Sequence, residues 1–75
     1  MAQKENITMK FKKIRESEYE IVDVENLRIL YDSSGEIVAI DPPGGPMYEI
    51  GHNFGEGKLL RNIYHENNKL IAIIN

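Results

Sequence analysis

Apolar and polar residues alternate with a period of two near the amino terminus of the chain. Positions 7, 9 and 11 are apolar, and positions 8, 10 and 12 between them are polar. Residues 18–22 alternate in a similar way, with Tyr19 and Ile21 on one side. A period of two is the pattern of a half-buried strand. The two runs therefore predict a β-hairpin that turns about Arg15.

The predicted register of this hairpin places apolar residues on one face and opposite charges on the other. Such charge pairs across two strands stabilise a sheet by about 0.2–1 kcal/mol. The expected partners are Phe11 and Tyr19, Met9 and Ile21, Lys12 and Glu18, and Lys10 and Glu20.

A second hairpin is predicted from two apolar runs, 27–31 and 36–40, on either side of a four-residue turn. The turn begins with Asp32 and ends with Gly35, which suits a type I turn followed by a residue with positive φ. Both faces of this hairpin are largely apolar, so it should lie at the centre of a barrel or beneath another subunit. One expected face holds Ile29, Tyr31, Ile37 and Ala39, and the other holds Leu30, Val38 and Ile40.

The rest of the chain continues in short strands separated by turn-forming residues. Met47–Ile50 is followed by a glycine-bearing loop at 52–57, and the runs 58–65 and 70–74 flank Asn67 and Asn68. Asparagine tolerates positive φ and suits a tight hairpin turn. The chain is therefore predicted to be all-β, a small barrel or rolled antiparallel sheet of about six short strands, of SH3-like or OB-like size.

Length and composition limit the class of protein further. The 75 residues make one domain, for which we expect a frayed segment at 1–6 and a single β domain at 7–75. The chain has no cysteine, which excludes disulfides and thiolate chemistry. No apolar run reaches the length of a membrane span or a signal-peptide core, so we expect a cytoplasmic protein.

Charge is unevenly distributed along the chain. Residues 1–15 hold five basic residues and one acidic residue, a net charge of +4, whereas residues 16–75 carry −7. A basic amino-terminal arm could bind phosphates of nucleic acid. The hairpin register offers the other interpretation, an internal ladder of ion pairs, and the pI of about 5.3 makes nucleic acid an unlikely partner.

Catalytic chemistry finds little support in the sequence. His52 and His65 do not stand in a motif with a nucleophile, and Ser33 and Ser34 belong to the predicted turn. The spacing of the histidines matches no known zinc pattern. We therefore expect a non-enzymatic protein with no cofactor and no metal.

The segment Asp41-Pro42-Pro43-Gly44-Gly45-Pro46 must form a shaped loop, because its prolines and glycines exclude both helix and central strand. Its two glycines could donate N–H groups to an anion, although the prolines supply none. This loop and the loop at 52–57 bracket one short strand, so both could border one pocket of nucleotide size. The candidate ligand-binding residues are Gly44, Gly45, Tyr48, His52, Phe54, Lys58 and Arg61. Alternatively, the Pro-Gly loop is only a rigid turn and the aromatic rings belong to the core.

The carboxyl-terminal run Leu70–Ile74 consists of five consecutive apolar residues. As an exposed edge it would aggregate, because it lacks both proline and charge. It must be central in the sheet or paired with a second subunit. We therefore predict a homo-oligomer, with Leu70–Ile74 or the 27–40 hairpin contributing to the contact.

The segment from Ile40 to Gly51, with its Pro-Pro-Gly-Gly-Pro turn ahead of a short strand, resembles short uncharacterised proteins carried by bacteriophages and other mobile elements. The resemblance covers about a sixth of the chain and implies no established activity or site residue. It implies an accessory protein that acts by binding in the host cytoplasm. Proteins of this kind include inhibitors of host defence that sequester nucleotide signals or block a host protein.

Two functions from different classes remain open at this point. One is a non-enzymatic β-protein that binds, and sequesters, a small anionic, nucleotide-like ligand. The other is a protein–protein interaction module that docks a host or structural partner through the Pro-Gly loop or an apolar strand.

Overall fold

The structure is a computed structural model that describes residues 9–22 and 25–75. The frayed segment predicted at 1–6 lies outside the described residues. The described part forms eight strands and no helix, so no helix there is long and apolar enough to cross a membrane. The strands are β1 (Lys10–Arg15), β2 (Glu18–Val22), β3 (Arg28–Tyr31), β4 (Ile37–Asp41), β5 (Tyr48–Glu49), β6 (Asn53–Gly55), β7 (Lys58–Glu66) and β8 (Lys69–Ile74).

All strand pairs are antiparallel, and they form two sheets. The large sheet has the order β1-β2-β8-β7-β6 and curls into a half-barrel, and the small sheet has the order β3-β4-β5. The all-β prediction is confirmed. The eight strands include β6, which lies within the segment predicted as the second glycine loop.

The hydrophobic core lies between the two sheets. Every second residue of β8 faces it, and β4, β7 and β8 each contribute a residue with no solvent exposure. The buried cluster consists of Ile21, Ile37, Ile40, Leu60, Ile63, Leu70, Ala72 and Ile74.

Strand β8 is the central strand of the large sheet, because β2 pairs with one of its edges and β7 with the other. The central position predicted as one alternative for this apolar run is therefore what the structure shows. Ile71 and Ile73 alternate with the core residues and point to the outer side of the sheet. Ile71 is nevertheless only 1% exposed.

The register of the first hairpin differs from the prediction by two residues. Lys12 lies opposite Glu20, and Lys10 lies opposite Val22 rather than Glu20. Likewise Phe11 lies opposite Ile21 rather than Tyr19.

The cause is the position of the turn. The chain reverses at Glu16-Ser17, where Ser17 has φ of 65°, instead of about Arg15. A shift by an even number of residues keeps every side chain on its predicted face. The ion pairs, however, change: the Arg15 guanidinium binds the carboxylates of Glu18 and Glu66.

The turn of the second hairpin is the predicted one. The N–H of Gly35 donates to the carbonyl of Asp32 at 3.1 Å, and Gly35 has φ of 91°. The Asp32 carboxylate also accepts hydrogen bonds from the N–H and hydroxyl of Ser34. The Asp32 side chain therefore stabilises the turn through hydrogen bonds within it.

The faces of the second hairpin differ from the prediction at two positions. A β-bulge at Val38 separates the pair Leu30–Ala39 from the pair Tyr31–Ile37. The extra residue reverses the alternation, so that Ile40 lies in the core and Ala39 shares the outer side with Leu30 and Val38.

Candidate functional site

Four rings form an aromatic cluster where the two sheets meet. Phe11 lies edge-on to Tyr48 and to Phe54, with ring centroids 5.4 Å apart in each case. Tyr48 and Phe54 are stacked at 5.8 Å, and His52 contacts both rings at 4.9 and 4.6 Å. The structure thus brings together three of the predicted site residues, Tyr48, His52 and Phe54, with Phe11 as a fourth.

This aromatic cluster closes the half-barrel. Phe11 is on β1 and Phe54 is on β6, which are the two edge strands of the large sheet. Edge-to-face ring pairs contribute about 0.5–1.5 kcal/mol beyond the area that they bury. Phe11 and Tyr48 also pack against the buried core. Of the two candidate ring residues, Tyr48 thus packs against the core, as the alternative interpretation expected, whereas Phe54 remains 37% exposed.

Backbone hydrogen bonds fix the segment that carries His52. The N–H of Gly51 donates to the carbonyl of Leu60 at 2.7 Å, and the N–H of Leu60 donates to the carbonyl of His52 at 2.9 Å. These bonds join the end of the small sheet to β7. Because His52 is held there, its ring packs against both Tyr48 and Phe54.

An open cavity of about 220 Å³ adjoins the aromatic cluster, and we call it the aromatic cleft. Phe11, Tyr19 and Phe54 provide three rings, and Glu56 and Lys58 stand at its polar side. The residues that line it are Phe11, Tyr19, Phe54, Gly55, Glu56, Lys58 and Ile74.

The turn from β6 to β7 shapes the polar side of the aromatic cleft. Gly55, Glu56 and Gly57 all have positive φ, at 98°, 57° and 76°. Glycine adopts such φ at no steric cost, which explains the glycines on both sides of Glu56. The side chain of Asn53 accepts a hydrogen bond from the N–H of Gly55 at 2.7 Å. This turn therefore places Glu56 and Lys58 beside the rings.

Gly44 and Gly45 lie in a tight turn and do not line the aromatic cleft. Gly44 has φ of 73° and follows Pro43, the pattern of a type II turn. The N–H of Gly45 donates to the carbonyl of Pro42 at 3.4 Å, so this donor already serves the turn. The Pro-Gly loop thus has the geometry of the rigid-turn alternative.

The two predicted cationic residues have different surroundings. Lys58 borders the aromatic cleft. Arg61 does not, and its Nε donates to the side-chain oxygen of Asn75 at 3.1 Å. Of the predicted site residues, Phe54 and Lys58 therefore line the cleft, Tyr48 and His52 contact Phe54 in the adjoining aromatic cluster, and Gly44, Gly45 and Arg61 lie apart from the cleft. Sequence reasoning missed Phe11 and Tyr19 because nothing local indicates that β1 and β6 approach each other.

The other titratable residues that the structure describes form no candidate metal centre. Among residues 9–22 and 25–75, no group of three or more His, Asp or Glu side chains could hold a metal ion. His65 lies on β7, away from His52, and its Nε2 is 3.4 Å from the hydroxyl of Tyr31.

Comparison of the chain with protein-family models, curated proteins and solved structures gave no significant match. The resemblance of the Pro-Gly segment to phage and mobile-element proteins therefore stays a prediction.

Proposed function

We propose that this chain is a non-enzymatic protein-binding module whose aromatic cleft receives one apolar side chain of a partner polypeptide. The observation that carries the proposal is the open cavity itself, with three rings on its walls and two opposite charges beside it. Interfaces between proteins often depend on one anchor side chain in such a desolvated pocket.

The size of the aromatic cleft favours a side chain over a nucleotide. Pockets that enclose small-molecule ligands measure about 300–1,000 Å³, whereas an apolar cavity of about 150 Å³ accepts benzene. The cleft, at about 220 Å³, lies between the two. Its volume therefore matches one leucine or phenylalanine side chain more closely than a whole nucleotide.

The charges beside the cleft favour a peptide over an anion. Lys58 offers ammonium donors, and Glu56 offers a carboxylate acceptor. A peptide backbone has both carbonyl and N–H groups, so each charge finds a partner near the anchor. A phosphate would meet the Glu56 carboxylate as well as Lys58, and that repulsion opposes binding. Under the resemblance to phage accessory proteins, the polypeptide would belong to a host protein.

A titration followed by NMR tests this proposal with simple probes. The probes are the N-acetyl amides of leucine, phenylalanine and glycine, together with AMP. We expect the leucine and phenylalanine amides to shift the signals of Phe54, Lys58 and Ile74, with a Kd on the order of 1 mM because only one side chain is bound. The glycine amide lacks the anchor and should leave these signals unchanged.

Variants assign the signals to the aromatic cleft. Phe54→Ala removes one wall and should abolish the shifts, whereas Tyr31→Ala removes an exposed ring elsewhere and should keep them. Lys58→Glu, in which the cleft keeps its rings, should weaken binding and provides a second measurement if Phe54→Ala does not fold. If AMP shifts these signals and the amides do not, the proposal is overturned in favour of the nucleotide-like ligand. Apolar amides that shift nothing would overturn it as well.

A further inference from the structure

A second surface lies on the outer side of the small sheet, away from the core and from the aromatic cleft. It forms a shallow depression of about 330 Å³. We call it the outer surface, and it is lined by Leu30, Val38, Ala39, Met47, Glu49 and Ile50.

Three large apolar side chains of the outer surface are exposed to solvent. Val38 is 37% exposed, Met47 42% and Ile50 39%, and the three side chains line one depression. The β-bulge at Val38 turns Ala39 to the same outer side as Val38. A contiguous exposed apolar patch rimmed by polar groups is typical of a protein interaction site.

The outer surface also carries opposite charges at its two edges. Arg28, on the same face as Leu30, stands at the β3 edge; it forms an ion pair with Asp41 at 3.6 Å, and its side chain remains 75% exposed. Glu49 stands at the β5 edge, opposite Ala39, and forms no ion pair within residues 9–22 and 25–75.

We infer that the occupant of the outer surface is a second copy of this chain, related by a two-fold axis that runs along the strands. Such an axis lays β3 of one copy over β5 of the other. Leu30 then lies level with the partner's Glu49, and Arg28, two residues farther along β3, reaches it through its long side chain; the same pair forms a second time by symmetry. The arrangement buries the apolar centre and gives Glu49 a counter-charge, which is the self-complementarity that a two-fold interface requires.

Sedimentation velocity over a concentration series tests this inference. We expect the unmodified protein to form dimers at micromolar concentration. Val38→Lys and Ile50→Lys introduce charge at exposed positions, so each should give a folded monomer. Tyr31→Lys is the matched control, because Tyr31 is an exposed apolar residue of the same hairpin that does not line the outer surface. That variant should sediment like the unmodified protein.

A charge exchange tests the orientation of the two copies. Glu49→Arg places the new arginine beside the partner's Arg28 at both contacts. We expect the dissociation constant of the dimer to rise at least tenfold. The double variant Arg28→Glu with Glu49→Arg should recover most of that loss, because the charges are opposite again.

An unmodified protein that stays monomeric at millimolar concentration would overturn the inference. A dimer that survives both Val38→Lys and Ile50→Lys, or a double variant no better than Glu49→Arg, would also overturn it. None of these outcomes depends on the aromatic cleft, and Phe54→Ala should leave the dimer intact.

Discussion

Strands β8 and β4 are both apolar and both central in their sheets, yet a large outward side chain is buried on β8 and exposed on β4. β8 lies between β2 and β7, and its outward residue Ile71 is 1% exposed. β4 lies between β3 and β5, and of its outward residues Val38 is 37% exposed, whereas the smaller Ala39 is 4% exposed. The same type of sequence thus has two different surroundings in one small domain.

The difference comes from the neighbouring strands. β8 lies beside β7, which has nine residues, and β2, which has five. Ile14 and Arg15 of the β1 bulge, with Glu66 and Lys69, line a cavity beside Ile71. The aliphatic parts of such charged side chains shield apolar residues while their ends remain in water. β5, in contrast, has only two residues, Tyr48 and Glu49. An apolar run therefore indicates that a strand needs cover, but it does not tell whether the cover comes from the same chain.

The largest predicted effect separates Ile71 from Val38. Ile71→Ala should lower the free energy of unfolding by about 2–5 kcal/mol, because it leaves a cavity at a fully buried position. Val38→Ala should cost less than about 1 kcal/mol in the dilute monomer, because its side chain already contacts water. Urea unfolding of both variants measures the two values. Equal losses would mean that the outer sides of the two sheets are covered alike.

The sequence predicted features that depend on neighbouring residues correctly, and it missed features that depend on contacts between distant residues. The turn from Asp32 to Gly35 was predictable because its signal is local. The first hairpin was predicted two residues out of register, since Glu16 and Ser17 include no glycine or asparagine to mark a turn. The bulge at Val38 exchanged the faces of Ala39 and Ile40, and no alternation pattern contains that information.

The candidate site shows the same limit. Tyr48, His52 and Phe54 were expected to lie together because their loops bracket one short strand, and their rings are in contact. Phe11 and Tyr19 enter the aromatic cleft only because the large sheet curls until β1 meets β6. Closure of this kind depends on packing across the whole domain, so local residue spacing could not reveal it.

A smaller effect is expected from the turn of the second hairpin, which holds β3 and β4 together beneath the outer surface. Gly35→Ala should cost on the order of 1 kcal/mol, because alanine adopts the required positive φ of 91° only with strain. No atom lies within 4 Å of the added methyl group, so this cost comes from the backbone alone. Gly45→Ala is the control: its φ is not in the left-handed region, and the methyl group would lie 3.5 Å from Pro42. Thermal unfolding that lowers Tm equally in both variants would contradict the assigned turn.

The smallest effect is a dependence of stability on pH that originates at Asp32 in the same turn. The Ser34 hydroxyl, followed by the N–H groups of Glu36 and Ser34, lowers the pKa of Asp32 below its ordinary 3.8. The unfolded chain therefore binds a proton at this carboxyl at higher pH than the folded chain does. The stabilisation is complete above the ordinary pKa and is lost as pH falls through the lower pKa of the folded state.

The Asp32→Asn variant cannot titrate at this position. The difference between its free energy of unfolding and that of the unmodified protein should therefore become smaller as pH falls from about 6 to about 2. Ser34→Ala keeps the carboxylate but removes the hydrogen bond that lowers its pKa most, so it should flatten the pH dependence in part. Urea unfolding across this pH range measures both variants. A constant gap between the unmodified protein and Asp32→Asn would show that the turn gains nothing from the ionised carboxylate, and the small sheet would then depend on Gly35 and packing alone at this end.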